Sequence, residues 1–195
     1  ILISFFFHFL ITSLSLFFSP PFLDMQSFVV LGSALKKNTH NAIIELDLSN
    51  NPVKEKGITA LAEGLQTFTH PLSKLNVAYC GLNAKGVGAL MSALTYGKEV
   101  ANSLCDLDLS YNTISAAASA PLASYFNSTK ATNLKYLFLA YTRIDVALVL
   151  RALRNGDVRN LEEVDISGNK MDLNGAQAVA AVIEHSLALK TLDLS

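Results

Sequence analysis

Apolar residues recur along this chain in a triad whose members are three and then two residues apart, with mostly polar residues between them. Such a triad predicts a short strand, because strand side chains alternate between two faces and one face is buried. The pattern occurs six times, and its first members are 29, 32, 30, 27 and 28 residues apart. The triads are Ile43/Leu46/Leu48, Leu72/Leu75/Val77, Leu104/Leu107/Leu109, Leu134/Leu137/Leu139, Leu161/Val164/Ile166 and Leu189/Leu192/Leu194. This regular period indicates a repeat protein, whose units are stable only when stacked on their neighbours.

A turn is predicted after each of the first five triads. Eight residues after the triad begins, the chain has a short side chain, which is Asn51, Cys80, Asn112, Thr142 or Asn169. A short polar side chain can hydrogen-bond the backbone groups that a bend leaves unpaired, although Thr can do so less fully than Asn. Triad and turn residue together resemble the consensus of the leucine-rich repeat.

A helix is predicted after each turn, because apolar residues then follow at helical spacing. The sets are Ile58/Leu61/Leu65, Val87/Leu90/Leu94, Val146/Leu150/Leu153 and Ala176/Val179/Ile183. In the third repeat Pro121 fits only the first turn of a helix, so that helix should begin near Ser119 or Ala120. The predicted fold is an α/β right-handed solenoid, a leucine-rich repeat horseshoe of about six repeats that is cut at its ends.

A period near 29 with a full helix in every unit resembles the ribonuclease-inhibitor-like class of leucine-rich repeats. Ribonuclease inhibitor, NOD-like receptors, the Ran GTPase-activating protein and the CARMIL actin regulators share that class. The finer pattern resembles CARMIL, the capping protein regulator and myosin I linker family. The segments that carry this resemblance are LDLSNNPVKEKGITALAEGL, LNVAYCGLNAKGVGALMSAL, SLCDLDLSYN with the lengthened loop before it, and NLKYLFLAYTRIDVALVLRAL.

Three segments are expected along the chain. Residues 1–24 form an apolar leader without a charged side chain before Asp24, which is a signal peptide or anchor, an artefact of the gene model, or a structured helix. Residues 25–42 resemble the end of a preceding repeat helix and its loop, and residues 43–195 form the repeat array. If the leader is real, the protein is anchored to a membrane.

Charge and composition disfavour several classes of function. The formal net charge is −1, so no general basic field is available to hold nucleic acid. The chain has no phosphate-binding glycine motif and no hydrolase motif, and its four His residues lie apart without a partner at a defined spacing. Only two Cys residues are present, which favours a reduced compartment. No enzyme activity, cofactor or metal is expected.

The polar positions within the strands predict an acidic surface on the concave side of the solenoid. Seven of the sixteen acids fall there against one base, Lys74. The candidate partner-binding residues are Asp47, Asp108, Asp165, Tyr136 and Phe138 on the concave face, with Tyr79, Tyr111 and Tyr141 on its rim. Acids attract basic segments of a partner, and exposed aromatics are typical of interface centres. The alternative is that the Asp residues are consensus solubilising residues and the tyrosines merely cover the end of the sheet.

The resemblance implies a non-enzymatic interaction scaffold in a regulator of actin filament capping, at the cell cortex or cytoskeleton in the cytoplasm. Its contacts with the actin capping machinery would belong to regions of that family that are absent here. The alternatives are the recognition repeats of a NOD-like receptor or ribonuclease-inhibitor-type protein, and a GTPase-activating leucine-rich repeat protein. Each has the same fold but different neighbouring domains.

Overall fold

A computed structural model describes residues 14–17, 23–37, 43–97, 99–156 and 159–195. Within these residues, seven strands form one parallel sheet in which each strand pairs with the next along the chain. The strands are β1 (Leu14–Phe17), β2 (Ile43–Asp47), β3 (Lys74–Asn76), β4 (Asp106–Asp108), β5 (Tyr136–Phe138), β6 (Glu163–Asp165) and β7 (Thr191–Asp193). An all-parallel sheet in sequence order with helical connections fits the predicted α/β solenoid of stacked repeats.

Helices connect the strands and pack against one another in a second layer. They are α1 (Met25–Lys37), α2 (Lys54–Gln66), α3 (Ala84–Tyr96), α4 (Val100–Ser103), α5 (Ser119–Phe126), α6 (Val146–Asn155) and α7 (Leu173–His185). Short 3₁₀ segments, Ala116–Ala118 and Thr129–Asn133, flank α5. The start of α5 at Ser119 confirms the prediction from Pro121, which lies in the first turn of this helix.

The core lies between the sheet and the helices. The parallel register places Leu46, Leu75, Leu107, Leu137 and Val164 side by side, and all five are fully buried. The first five triads are buried as predicted. The prediction is wrong for the sixth, because Leu189 and Leu192 are only half-buried and Leu194 is 39% exposed. Leu189 and Leu192 still pack against the edge of the core.

The inward face of α7 also differs from the prediction. Ala176 is exposed and Ile183 is 60% exposed, whereas Ala178, Val179 and Val182 are buried. The buried stripe is therefore shifted by one or two residues around the helix. Ile183 lies on a side of α7 that no described helix covers.

A strand of the sheet lies within the predicted leader. Leu14–Phe17 pair in parallel with β2, with Leu16 in register with Leu46. Together with α1 this strand forms a further strand–helix unit before the first triad. The helix agrees with the expectation for residues 25–42, whereas the strand was not predicted. The remaining leader residues, 1–13 and 18–22, lie outside the described residues, so their role as a leader stays a prediction. Within the described residues, no helix is both long and apolar enough to cross a membrane.

The turn residues join consecutive repeats through buried hydrogen bonds. The Asn112 Nδ2 group donates to Val77 O, Leu109 O and Ser110 O, and its Oδ1 accepts from the backbone N–H groups of Cys80 and Leu82. Two repeats later, Asn169 makes the equivalent bonds: its Nδ2 group donates to Leu139 O and Ile166 O, and its Oδ1 accepts from the Thr142 N–H. The Thr142 hydroxyl lies 2.7 Å from Leu139 O and 3.1 Å from Asn169 Oδ1, and its single hydrogen can be donated to one of them at a time, which confirms its poorer bonding capacity.

We expect the change Leu107→Asp to unfold the repeats on both sides of β4. Leu107 is fully buried, and an unpaired buried carboxylate costs on the order of 4 kcal/mol or more. The matched control is Leu187→Asp, because Leu187 is 99% exposed. Thermal unfolding followed by far-ultraviolet circular dichroism should show a large drop in melting temperature for the first variant and none for the second. Equal melting of both would contradict the stacked arrangement.

Candidate interaction surface

The strand register aligns the polar residues of the strands in two rows on the side of the sheet opposite the helices. We call these twelve residues the open face. One row is Glu45, Lys74, Asp106, Tyr136, Glu163 and Thr191, and the other is Asp47, Asn76, Asp108, Phe138, Asp165 and Asp193. All are half-buried or exposed and alternate with buried aliphatic residues. The structure therefore brings the predicted face residues Asp47, Asp108, Asp165, Tyr136 and Phe138 together on one surface.

The Asp residues of the open face have a structural role at the end of each strand. The Ser110 N–H donates to Asp108 Oδ1 at 2.9 Å, and the Ser167 N–H donates to Asp165 Oδ1 at 2.9 Å. Asp47 and Asp193 make the same bond two residues ahead, and Asn76 makes it with its amide oxygen. This bond gives the acids a structural role in each repeat, which favours the alternative that they are consensus residues of the repeat.

The second oxygen differs from one acid to the next. Asp47 Oδ2 accepts from Asn76 Nδ2 at 3.1 Å, Asp108 has a further hydrogen bond from the Ser110 side chain, and the described residues provide no partner for Oδ2 of Asp165. This Asp165 oxygen is not buried, since the buried side-chain atoms without a partner among the described residues are Asp106 Oδ1 and Tyr125 Oη. Asp165 therefore combines a fixed side chain with a free acceptor at the surface.

Phe138 stands where the other repeats have Asp or Asn. It cannot accept the N–H two residues ahead, and the Ala140 N–H donates instead to Ser110 Oγ of the preceding repeat at 3.2 Å. The hydroxyl of Ser110 thus compensates for the aromatic substitution. This bond could not be predicted from the sequence, because it joins residues 30 positions apart.

Within the open face, the one basic residue is Lys74 on β3. Lys74 Nζ lies 2.8 Å from Asp106 Oδ2, and this hydrogen bond raises the pKa of Lys74. Burial raises the pKa of Asp108, and the neighbouring charge of Asp106 adds to the effect. The residues contributed by β5, β6 and β7 include three acids and no base. The uncompensated negative charge therefore surrounds Phe138.

The three rim tyrosines form a continuous stack, which we call the tyrosine ladder. The ring centroids of Tyr79 and Tyr111 are 4.1 Å apart with an interplanar angle of 8°, and those of Tyr111 and Tyr141 are 5.0 Å apart at 12°. These separations are about one strand spacing. The tyrosines are 43–54% exposed. Because the faces are stacked, the ladder presents mainly ring edges and hydroxyl groups to solvent.

The ladder occupies a strained backbone position. Tyr79, Tyr111 and Tyr141 have φ values of 54°, 58° and 54°, and the same turn position is filled by Asn50 and Gly168 in the flanking repeats. Asn and Gly adopt this left-handed conformation more readily than Tyr. Gly168 also leaves room for the last ring of the ladder, because a Cβ there would lie 2.5 Å from the Tyr141 ring.

The two cysteines have packing roles. Cys80 is fully buried, its thiol donates to Leu48 O at 3.1 Å, and burial raises its pKa to about 12. Cys105 is free and half-buried, and its thiol donates to Ser103 O. Among the described residues, no three His, Cys, Asp or Glu side chains are grouped as a metal ion would require.

Comparison with known proteins agrees with this geometry. A family model for the leucine-rich repeat matches residues 40–62, 70–91 and 159–180. Rho GTPase-activating protein gacW of Dictyostelium discoideum is 27% identical over 145 residues, which is 74% of this chain. Protein CARMIL of the same organism is 30% identical over 166 residues, 85% of this chain. Ribonuclease inhibitor of Sus scrofa is 30% identical over 171 residues, 84% of this chain.

The parallel sheet, the buried turn residues and the matched repeats define this chain as a leucine-rich repeat protein, and thus as a protein-interaction scaffold. Its array is of the type found in CARMIL and ribonuclease inhibitor, which confirms the resemblance seen in the sequence. The match spans 12% of gacW, 16% of CARMIL and 35% of ribonuclease inhibitor.

We expect Gly168→Ala to destabilise the protein more than Gly81→Ala does. Both glycines have a similar φ, 65° and 67°, so the backbone strain of about 1 kcal/mol is common to both changes. Only the alanine at 168 displaces the Tyr141 ring, since nothing lies within 4 Å of a Cβ at 81. Denaturant unfolding should show the additional loss, and near-ultraviolet circular dichroism should show a disturbed ladder. Adding Tyr141→Ala should remove the difference, and equal losses for the two glycines would contradict the packing.

We expect Asp108→Asn to stabilise the protein at neutral pH. The amide oxygen keeps the bond from Ser110, as Asn76 shows, and the ionisation of Asp108 opposes folding because its folded pKa is raised above 3.8. The folded chain holds this proton more tightly than the unfolded chain, so wild-type stability falls as pH rises through the raised pKa. The advantage of the variant should therefore vanish in acid.

The matched control is Asp193→Asn. The Ser195 N–H lowers the pKa of Asp193, so its charged form favours folding and the same change should reduce stability at neutral pH. Denaturant unfolding at several pH values measures both effects. Asparagine effects of the same sign at both positions would contradict the electrostatic description of the open face.

Proposed function

We propose that this chain is the interaction array of a CARMIL-like regulator of actin filament capping, acting in the cytoplasm at the cell cortex or cytoskeleton. The similarity to CARMIL over 85% of the chain supports the family context. The contribution of the array is the rigid presentation of a surface to a protein partner. That surface comprises Asp47, Asp108, Asp165, Tyr136 and Phe138 with the tyrosine ladder.

The observation that carries this proposal is the aromatic pair of β5 on an otherwise polar face. Tyr136 and Phe138 lie between Asp106 and Asp108 on one side and Glu163 and Asp165 on the other. An aromatic centre with a charged surround is the arrangement found at protein interfaces. The acids would attract a basic partner and increase the association rate, and the aromatic rings would slow its dissociation.

The structural role of the Asp residues does not account for the whole surface. A strand-end bond requires one oxygen, and Asn76 provides it without a charge. Phe138 provides no such bond, and the fold compensates for it through Ser110. The fold therefore tolerates different residues at these positions, and the residues found there can contribute to binding.

A GTPase-activating function is the second candidate, and it rests on the similarity to the Rho GTPase-activating protein gacW. Some GTPase-activating proteins supply an arginine to the nucleotide. The twelve residues of the open face include no arginine, and Arg143 lies two residues after the rim residue Tyr141 in the sequence. A GTP hydrolysis assay with a Rho GTPase distinguishes the candidates, because a scaffold leaves the hydrolysis rate unchanged.

We expect the double change Asp108→Asn and Asp165→Asn to abolish the cortical enrichment of the protein when it is introduced into the encoding gene. It removes two charges from the open face and keeps the strand-end bonds, as Asn76 demonstrates. The matched control is Glu63→Gln with Glu184→Gln, which removes two exposed charges from helices α2 and α7. Fluorescence microscopy of the tagged protein measures the enrichment. Unchanged enrichment in the first variant, or equal loss in both, would contradict the proposed surface.

A further inference from the structure

The uncompensated acids of the open face flank an aromatic side chain at regular intervals. Asp108, Phe138 and Asp165 are direct register partners on β4, β5 and β6. Because neighbouring strands are about 4.8 Å apart, the two acids are about 9.6 Å apart with the phenyl ring halfway between them. Asp106, Tyr136 and Glu163 repeat the same acid–aromatic–acid order in the adjacent row.

The surroundings leave these acids available to a partner. Oδ1 of Asp108 and of Asp165 is held by a backbone N–H, which fixes each carboxylate, and both side chains are half-buried rather than enclosed. Lys74 is paired with Asp106, and the lysines at the neighbouring edge of the sheet, Lys135 and Lys190, are paired with Glu162. The next row of the sheet, Ala78, Ser110, Ala140 and Ser167, is small and buried, so it does not obstruct approach between Phe138 and the ladder.

The interval of about 9.6 Å between the two acids distinguishes among possible conformations of a partner peptide. In an α-helix, with a rise of 1.5 Å per residue, side chains at i, i+3 and i+7 share one face at about 0, 4.5 and 10.5 Å. In an extended strand, side chains on one face are about 6.8 Å apart, which matches neither the aromatic nor the second acid. A polyproline helix repeats one face at about 9.3 Å but places no side chain on that face midway.

Building on the proposed function, we propose that the open face binds a basic amphipathic α-helix that lies across β4, β5 and β6, with cationic residues at i and i+7 on Asp108 and Asp165 and an apolar residue at i+3 on Phe138. Charge complementarity selects the basic residues, and the aromatic centre selects the apolar residue between them. The exposed hydroxyl edge of the tyrosine ladder borders the same surface.

Three fluorescent peptides test this inference by anisotropy with the complete 195-residue chain. The first is an Ala- and Gln-based helix with Arg at i and i+7 and Leu at i+3. The second has the same composition with the second Arg at i+5, on another face of the helix. The third is a polyproline peptide with Arg at i and i+3. We expect the first peptide to bind at least about tenfold more tightly than the others.

Two variants of the chain assign the binding to the acids. Asp108→Asn with Asp165→Asn should remove the preference for the first peptide, and Glu63→Gln with Glu184→Gln should retain it. Equal binding of the first two peptides, or tighter binding of the third, would overturn the helical register while leaving the acidic surface of the proposed function intact. If none of the peptides binds, both the register and the proposed attraction of basic partners are wrong.

Discussion

The burial of one aliphatic row between consecutive repeats is the constraint on which the rest of this structure depends. Leu46, Leu75, Leu107, Leu137 and Val164 lie side by side, and this alignment fixes the register of every strand from β2 to β6. Since side chains alternate along a strand, the same register aligns the polar residues on the opposite side. The acid rows and the tyrosine ladder are therefore direct consequences of core packing.

Most of the fold could be predicted from the sequence because the repeat signal is local. Each triad and its turn residue span nine positions, and that pattern alone located β2 to β7. The strand β1 was not predicted because its aliphatic residues do not follow the triad spacing: Leu14 pairs with Ile43 and Leu16 pairs with Leu46, so they are two residues apart where the triad has three. The sixth triad and the stripe of α7 were mispredicted for a different reason. Burial depends on a neighbour, and a sequence pattern cannot show whether the next unit covers Leu194 or Ile183.

The candidate surface was predictable in position but not in chemistry. Period-two alternation placed Asp47, Asp108, Tyr136, Phe138 and Asp165 on one face, and the register agrees. The bonds that distinguish one Asp from another were not predictable, because they depend on partners 29 or 30 residues away. Asp47 Oδ2 accepts a hydrogen bond from Asn76 on the neighbouring strand β3. The residue beside Asp108 on β5 is Phe138, which has no amide group to donate.

The tyrosine ladder is a site where local preference and the observed residues disagree. A left-handed conformation costs an ordinary residue about 1–2 kcal/mol, so three successive tyrosines carry roughly 3–6 kcal/mol of backbone strain. Two stacked pairs contribute about 0.5–1.5 kcal/mol each beyond the area that they bury. Asn50 and Gly168 fill the same turn position with residues that suit this conformation, so the fold does not require tyrosine there. Strain that persists where an unstrained residue is available is a feature of ligand-binding positions. What the ladder adds to the fold is a rigid, half-exposed aromatic edge beside the acids, and the strain at these positions supports its inclusion in the proposed interaction surface.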